Sequence, residues 1–272
     1  EKLQRSRKSS ITFAPEAGTQ RLRDAINKNV TEEDLLKSCR TVFEGGCNAV
    51  KLYFMLGLPT ETDEDVLGIA DLANKVYLCW RQYAVSRARG IRITVSTSFF
   101  VPKPFTPFQW EGQITMEEYQ RRVQLLRSAI TNTSIIYNWH DPDTSYLEAV
   151  FARGDRRLAP VIEEAWRQGA KFDSWSEYFD LERWLTACRT CGVDPDFYAT
   201  RERTKDEVLP WSHISVGVRP AYFWREREQA YKSVITPDCR VQCMGCGADR
   251  LLECGKCDEA LTRRERAERG EV

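Results

Sequence analysis

The chain has 272 residues, 42% of them hydrophobic and 11% aromatic, enough for a real core in one large domain or two modest ones. Its 40 basic and 40 acidic side chains cancel, so bulk charge favours neither nucleic acid nor an anionic membrane, and only local basic patches could serve either. No apolar run reaches the roughly eighteen residues a membrane span needs, and the first residues, EKLQRSRKSS, lack the apolar core of a secretory signal; a soluble, cytoplasmic protein is expected.

Taken in order, Ser10 to Ala14 reads as a short strand, followed by a polar turn, Pro15 to Thr19, and a helical stretch from Gln20 to Asn27. A strand almost at the start, behind Glu1 rather than a methionine, suggests a fragment or a processed chain. A second helix runs from Thr31 to Glu44, with Thr31 and Asp34 at capping-box spacing and Gly45-Gly46 as its stop. Ala49 to Thr62 is the stretch around which the chain is organised: alternating Val50, Leu52 and Phe54 predict a buried strand, and Gly57-Leu58-Pro59 predicts a tight turn into a helix. A loop at the carboxyl end of such a strand is where α/β proteins place ligands.

The next helix spans about Asp63 to Tyr83, and Ile91 to Phe100 alternates apolar and polar residues as a wall of a barrel would. The proline-rich segment Val101 to Trp110 should be a stiff loop. Thr115 and Glu118 start a helix to about Ile130, and Ser134 to Trp139 gives a last strand, ending in His140. This strand-helix alternation predicts an α/β fold, the second half of a barrel over residues 1–140; four strands do not close one, so the missing strands would precede residue 1. Residues 141–235 read as mainly helical, with helices at Ser145 to Arg153, Leu158 to Gly169 and Leu181 to Cys191. The tryptophans scattered there read as core and interface packing rather than a stacking platform. Residues 236–260 form a cysteine-rich knuckle and 261–272 a charged tail.

Several residues can carry chemistry. Lys51 and Tyr53 lie opposite Leu52 on the polar face of their strand, and Ser96 and Ser98 line the equivalent face of the next. Gly57 and Pro59 let the backbone approach a flat ring, although Thr62 or Asp63 as an N-cap explains the turn nearly as well, and Glu61 shares both readings. Glu16, just past a strand end, can accept from hydroxyls or complement a helix dipole, and Arg21, one turn on, can pair a carboxylate or remain exposed. His140 and His213 are the only histidines, each a proton shuttle or a structural residue.

Cys243-x2-Cys246 and Cys254-x2-Cys257 are two knuckles suited to tetrahedral zinc. Cys239, Cys243 and Cys246 also spell Cys-x3-Cys-x2-Cys, so an auxiliary iron-sulfur cluster stands beside zinc, with unliganded thiols as a third reading. Cys188-x2-Cys191, at a helix end, is spaced to chelate but reads first as packing.

The strand-end motifs resemble the radical S-adenosylmethionine superfamily. APEAGTQRLRDAINK (Ala14 to Lys28) is similar to the PESGS-type segment of its methylthiotransferase-like branch, GLPTET (Gly57 to Thr62) to its turn beside the adenine, and PKPFTPF (Pro102 to Phe108) to its proline-rich loop after the sixth strand. HDPDTSYLEAVFARGDRR, EVLPWSHISVGV and TPDCR, at His140, Glu207 and Thr236, resemble an uncharacterised family of cobalamin-domain radical S-adenosylmethionine proteins. The resemblance implies a 4Fe-4S cluster that cleaves S-adenosylmethionine to a 5′-deoxyadenosyl radical, with a cobalamin as a further cofactor. It implies cosubstrate contacts from Glu16, Arg21, Lys51, Tyr53, Gly57, Pro59, Glu61, Ser96 and Ser98. The superfamily's cluster triad is absent from the corresponding place, so the cluster and cobalamin would belong to a missing N-terminal half of the same protein, and the chain alone would not start radical chemistry. A non-catalytic metal-knuckle module that recruits RNA or protein, or an unrelated α/β barrel enzyme, would also account for parts of the pattern.

Overall fold

The computed structural model describes residues 10–239 and 241–248. Four strands, β1 (Ile11–Glu16), β2 (Ala49–Leu56), β3 (Arg92–Phe99) and β4 (Ile135–Trp139), form one parallel sheet in the order β1-β2-β3-β4. Between them run α1 (Gln20–Ala25), α2 (Glu32–Glu44), α3 (Asp63–Tyr83) and α4 (Met116–Ala129). A doubly wound sheet would reverse its strand order; here every strand lies beside its sequence neighbour, which is the winding of a barrel wall, left open.

The side-chain period of two explains which face the helices cover. Val50, Leu52, Phe54 and Leu56 of β2, with Ile93 and Val95 of β3, are buried under Phe43 of α2, Ile69 and Val76 of α3 and Val123 and Leu126 of α4. The opposite face carries Lys51, Tyr53, Thr94, Ser96 and Asn138, all partly or fully exposed. A parallel sheet with helices on one face and polar side chains on the other is the arrangement of a barrel interior.

The helix starts follow their local chemistry. In α2 Thr31 and Asp34 complete the expected capping box. In α3 the Thr62 N–H donates to Asp65 at 2.8 Å, and in α4 Thr115 accepts from the Glu118 N–H at 3.2 Å. The first strand differs from expectation: it continues through Pro15 to Glu16, two residues beyond Ala14. Proline is tolerated there because β1 is an edge strand among the described residues. Its register slips between Phe13, opposite Leu52, and Glu16, opposite Phe54, and Glu16 takes a positive φ of 69°. Such a bulge redirects a side chain at a strand end.

After β4 come α5 (Pro142–Ala152), a 3₁₀ turn at Arg156–Leu158, α6 (Ala159–Arg167), α7 (Leu181–Thr190), α8 (Asp196–Ala199) and α9 (Pro220–Ala230). The sequence reading missed α8 and α9. The first three helices begin or end a few residues from the expected bounds; α5 starts at Pro142 because Asp141 caps it, accepting from the Asp143 N–H at 3.0 Å. Tyr146, Val150, Val161, Ala187 and Tyr198 build a second core that also takes in Val101 from the loop after β3. Among the described residues no helix is long and apolar enough to cross a membrane.

The tryptophans divide. Trp184 and Trp211 are buried, as a packing role requires, whereas Trp166 and Trp175 are 60% and 62% exposed.

Candidate functional site

The upper rim of the sheet is built from the loops after β1 and β2. Gly57 has φ +89°, which an L side chain adopts only under strain, and a Cβ there would lie 3.0 Å from Ile114. Its N–H donates to Glu61 Oε2 at 2.7 Å, and the Glu61 N–H donates to Leu58 O at 3.1 Å. Glu61 is 8% exposed and also accepts from Arg122 of α4. Arg122 Nε in turn reaches Glu118 at 2.8 Å. Glu61 thus closes the turn from inside.

Arg21 of α1 donates to Thr60 O at 2.9 Å and to Asp65 of α3. Thr19 donates to the same carboxylate. Arg21 and Asp65 together pin the loop after β1 to the loop after β2. Glu16 accepts from Lys28 Nζ at 3.0 Å. Pro59 lies in the turn beside Thr60, whose φ is +69°. Glu16, Arg21, Gly57, Pro59 and Glu61 are therefore gathered at one rim, three of them (Arg21, Gly57, Glu61) through bonds that hold the loops. An apolar patch of Leu22, Leu58, Met55 and Phe100 lies beside them.

The other four candidates stand on the bare face below the rim. The register places Tyr53 beside Ser96 and Ser96 beside Asn138, one row across three strands, with Met55 beside Ser98 in the row above. Lys51 sits in the row below Tyr53, opposite Thr94 and Thr12, about 20 Å along the chain from Gly57 at about 3.3 Å per residue. Among the described residues neither Lys51 nor Tyr53 has a side-chain hydrogen bond or ion-pair partner, and Tyr53 is 40% exposed. Ser98 Oγ donates to Phe54 O at 3.4 Å.

Asn138 and His140 were missed as members of this face. His140 follows Trp139 in the alternation, and its N–H still bonds Thr97 O at 2.9 Å, so it continues the row of Met55 and Ser98. The signal was present in the sequence: the period of two in Ile135 to Trp139 assigns Asn138 and His140 to one face.

Burial pushes the Glu61 carboxyl up to about 7, against the pull of the Gly57 N–H and Arg122. Between its ordinary value of 4.5 and about 7 the folded chain keeps a proton that the unfolded chain releases, so this group's stabilisation falls as pH rises through that window. Melting temperatures of the native chain and Glu61→Gln, taken at about pH 5 and about pH 7.5, should therefore show the native chain losing ground to the variant at the higher pH. A difference between the two chains that stays the same at both pH values would mean that Arg122 holds Glu61 as a carboxylate throughout.

At the other end of the chain, Cys239 and Cys243 are exposed and Cys246 is half-buried; Cys254 and Cys257 lie outside the described residues. The Arg219 N–H donates to Cys246 O at 2.9 Å, anchoring this segment at the start of α9. Among the described residues no three Cys, His, Asp or Glu side chains gather as a metal site. Cys188 is buried in the second core, a packing position.

Residues 1–73 match the family model of the Radical SAM superfamily. The open parallel sheet with a bare polar face is consistent with part of a barrel of that type. The chain is similar to the uncharacterized protein MJ0966 of Methanocaldococcus jannaschii, with 29% identity over 158 residues, covering 57% of this chain and 32% of that protein. The chain thus spans about a third of the length of that relative. No solved structure matches.

Proposed function

We propose that the chain is the carboxyl-terminal part of a radical S-adenosylmethionine enzyme and that its bare sheet face is one wall of the cosubstrate pocket. The observation that carries this reading is the row of Tyr53, Ser96 and Asn138, polar side chains partly or fully exposed on the one face of the parallel sheet that the helices leave bare. Their hydroxyl and amide groups suit the ribose and amino-acid ends of S-adenosylmethionine, and the patch of Leu58, Met55 and Phe100 at the rim suits the face of a purine. The Gly57 N–H and Leu58 C=O are engaged within the turn, so the purine would be held by this apolar patch and not by those two groups. The Lys51 ammonium is free among the described residues to neutralise a carboxylate deeper in the barrel.

The cluster finds no home in the described residues. Cys39 and Cys79 lie on α2 and α3, packed on the covered side of the sheet, and no three cysteines converge near a strand end. The proposal assigns the cluster ligands to a segment before Glu1, in keeping with a relative of which the match covers only 32%. When bound, such a cluster supplies the electron that cleaves the cosubstrate. A cobalamin, suggested by motif resemblance alone, would belong to the same preceding segment.

The test has two parts. Upstream genomic sequence should contain Cys-x3-Cys-x2-Cys after a strand, and the polypeptide carrying both parts should bind S-adenosylhomocysteine by calorimetry. Tyr53→Ala, at an exposed position, should weaken that binding by about tenfold. Unchanged affinity in the variant, or no such upstream segment, defeats the assignment.

A further inference from the structure

We infer that the helical region builds a second binding site, for a small planar aromatic anion, in a cleft of about 300 Å³ beyond the carboxyl end of β3. Its aromatic walls are Phe105 and Trp110 from the loop after β3, Trp211, and Phe223 of α9. The walls are fixed: Gln109 Oε1 accepts from Trp211 Nε1 at 2.7 Å and from the Phe105 N–H at 3.1 Å. Trp110, which lines the cleft, is 3% exposed, and its buried indole N–H is without an acceptor among the described residues. Such walls suit a stacked ring.

The charge of the lining names the other half of the ligand. Its one carboxylate, Glu207, is held by both terminal nitrogens of Arg201, at 2.9 and 2.6 Å. Lys205 lies over the Trp224 ring, and neither it nor His213 has a hydrogen-bond or ion-pair partner among the described residues. His213 also borders a wider cleft of about 570 Å³ in which Asp155 is paired with Arg157 at 2.6 Å and Arg156 has no ion-pair partner among the described residues, which adds a cation outside the first cleft. A volume near 300 Å³ is at the small end of ligand pockets, one or two fused rings in size. The site shares no residue with the bare sheet face and stands whether or not that face binds S-adenosylmethionine.

Calorimetric titration of this chain with naphthalene-2-sulfonate and its neutral sulfonamide tests the assignment. The sulfonate should bind at least about fivefold more tightly than the sulfonamide. The double variant Lys205→Gln, His213→Gln, both at solvent-facing positions, should remove that preference, and Tyr53→Ala should leave it intact. Failure of the sulfonate to bind, equal affinity for the two probes, an undiminished preference in the double variant, or loss of binding in Tyr53→Ala each overturns the inference.

Discussion

Replacing Gly18 with alanine is expected to destabilise the fold by about 3 kcal/mol, which in a domain of this size lowers the melting temperature by roughly 6–12 °C. The reason is space. A Cβ at Gly18 would lie 2.3 Å from Asp65 O, 2.4 Å from Ile69 N and 2.7 Å from Gly68 C, all main-chain atoms of α3. No rotamer change relieves contacts with backbone, so either the loop after β1 lifts or α3 shifts. Lifting the loop breaks the Thr19 and Arg21 bonds to Asp65, and with them the join between the two rim loops. The reciprocal contact is softer: a Cβ at Gly68 meets the Thr19 methyl at 2.8 Å and Gly18 backbone no closer than 3.2 Å, so Gly68→Ala should cost less. A Gly18→Ala melting temperature within about 2 °C of the native chain would show that the loop is not seated as described.

The second large effect is expected at Arg153. This side chain is wholly buried, with Nη1 donating to Ala199 O at 2.5 Å and Nη2 to Arg201 O at 2.9 Å, so it caps the carbonyls that end α8. Arg203, also buried, donates back to Arg153 O at 2.8 Å. Among the described residues no carboxylate meets the Arg153 guanidinium; Glu207 pairs instead with Arg201 at 2.6 Å and with Arg203 at 3.9 Å. Burial, then the neighbouring Arg203 and Arg201 guanidiniums, push the Arg153 pKa down against the weaker pull of Glu111 and Glu207, which marks a cation whose direct hydrogen-bond partners are carbonyls.

Two opposing terms follow. Removing Arg153 relieves the desolvated charge but strands the Arg201 carbonyl, since Ala199 O keeps the Gln113 N–H at 2.9 Å, and leaves a large hole. The hole and the orphaned Arg201 carbonyl win in Arg153→Ala, at about 3 kcal/mol. Arg153→Met fills most of the volume and removes the charge, so it should cost about half as much. Urea unfolding of both variants checks the order, and an alanine variant no less stable than the methionine one would refute it.

Much of the sheet was readable from period alone. Val50, Leu52 and Phe54, or Ile93 and Val95, announce their face two residues at a time, and the capping pair Thr31–Asp34 fixes a helix start within four residues. What escaped depends on distant partners. Glu61 looked like a rim residue because nothing within the turn shows Arg122, 61 positions on, waiting behind it. The bulge at Glu16 arises from register against β2, which no local pattern contains. The one mid-helix glycine that could have been read, Gly68, marks the close approach of Gly18; an isolated glycine in a strong helix asks for a packing reason. The start of α9 was hidden by a mixed run of aromatic and charged residues, PAYFWREREQA, with no clean apolar stripe.

The two histidines end up far apart in role: His140 on the bare sheet face, His213 at the mouth of the aromatic cleft, both exposed. Nature has thereby wired one imidazole reporter to each candidate site. In a proton spectrum of the unlabelled protein, a ligand that moves one ring resonance and spares the other declares which of the two it has entered.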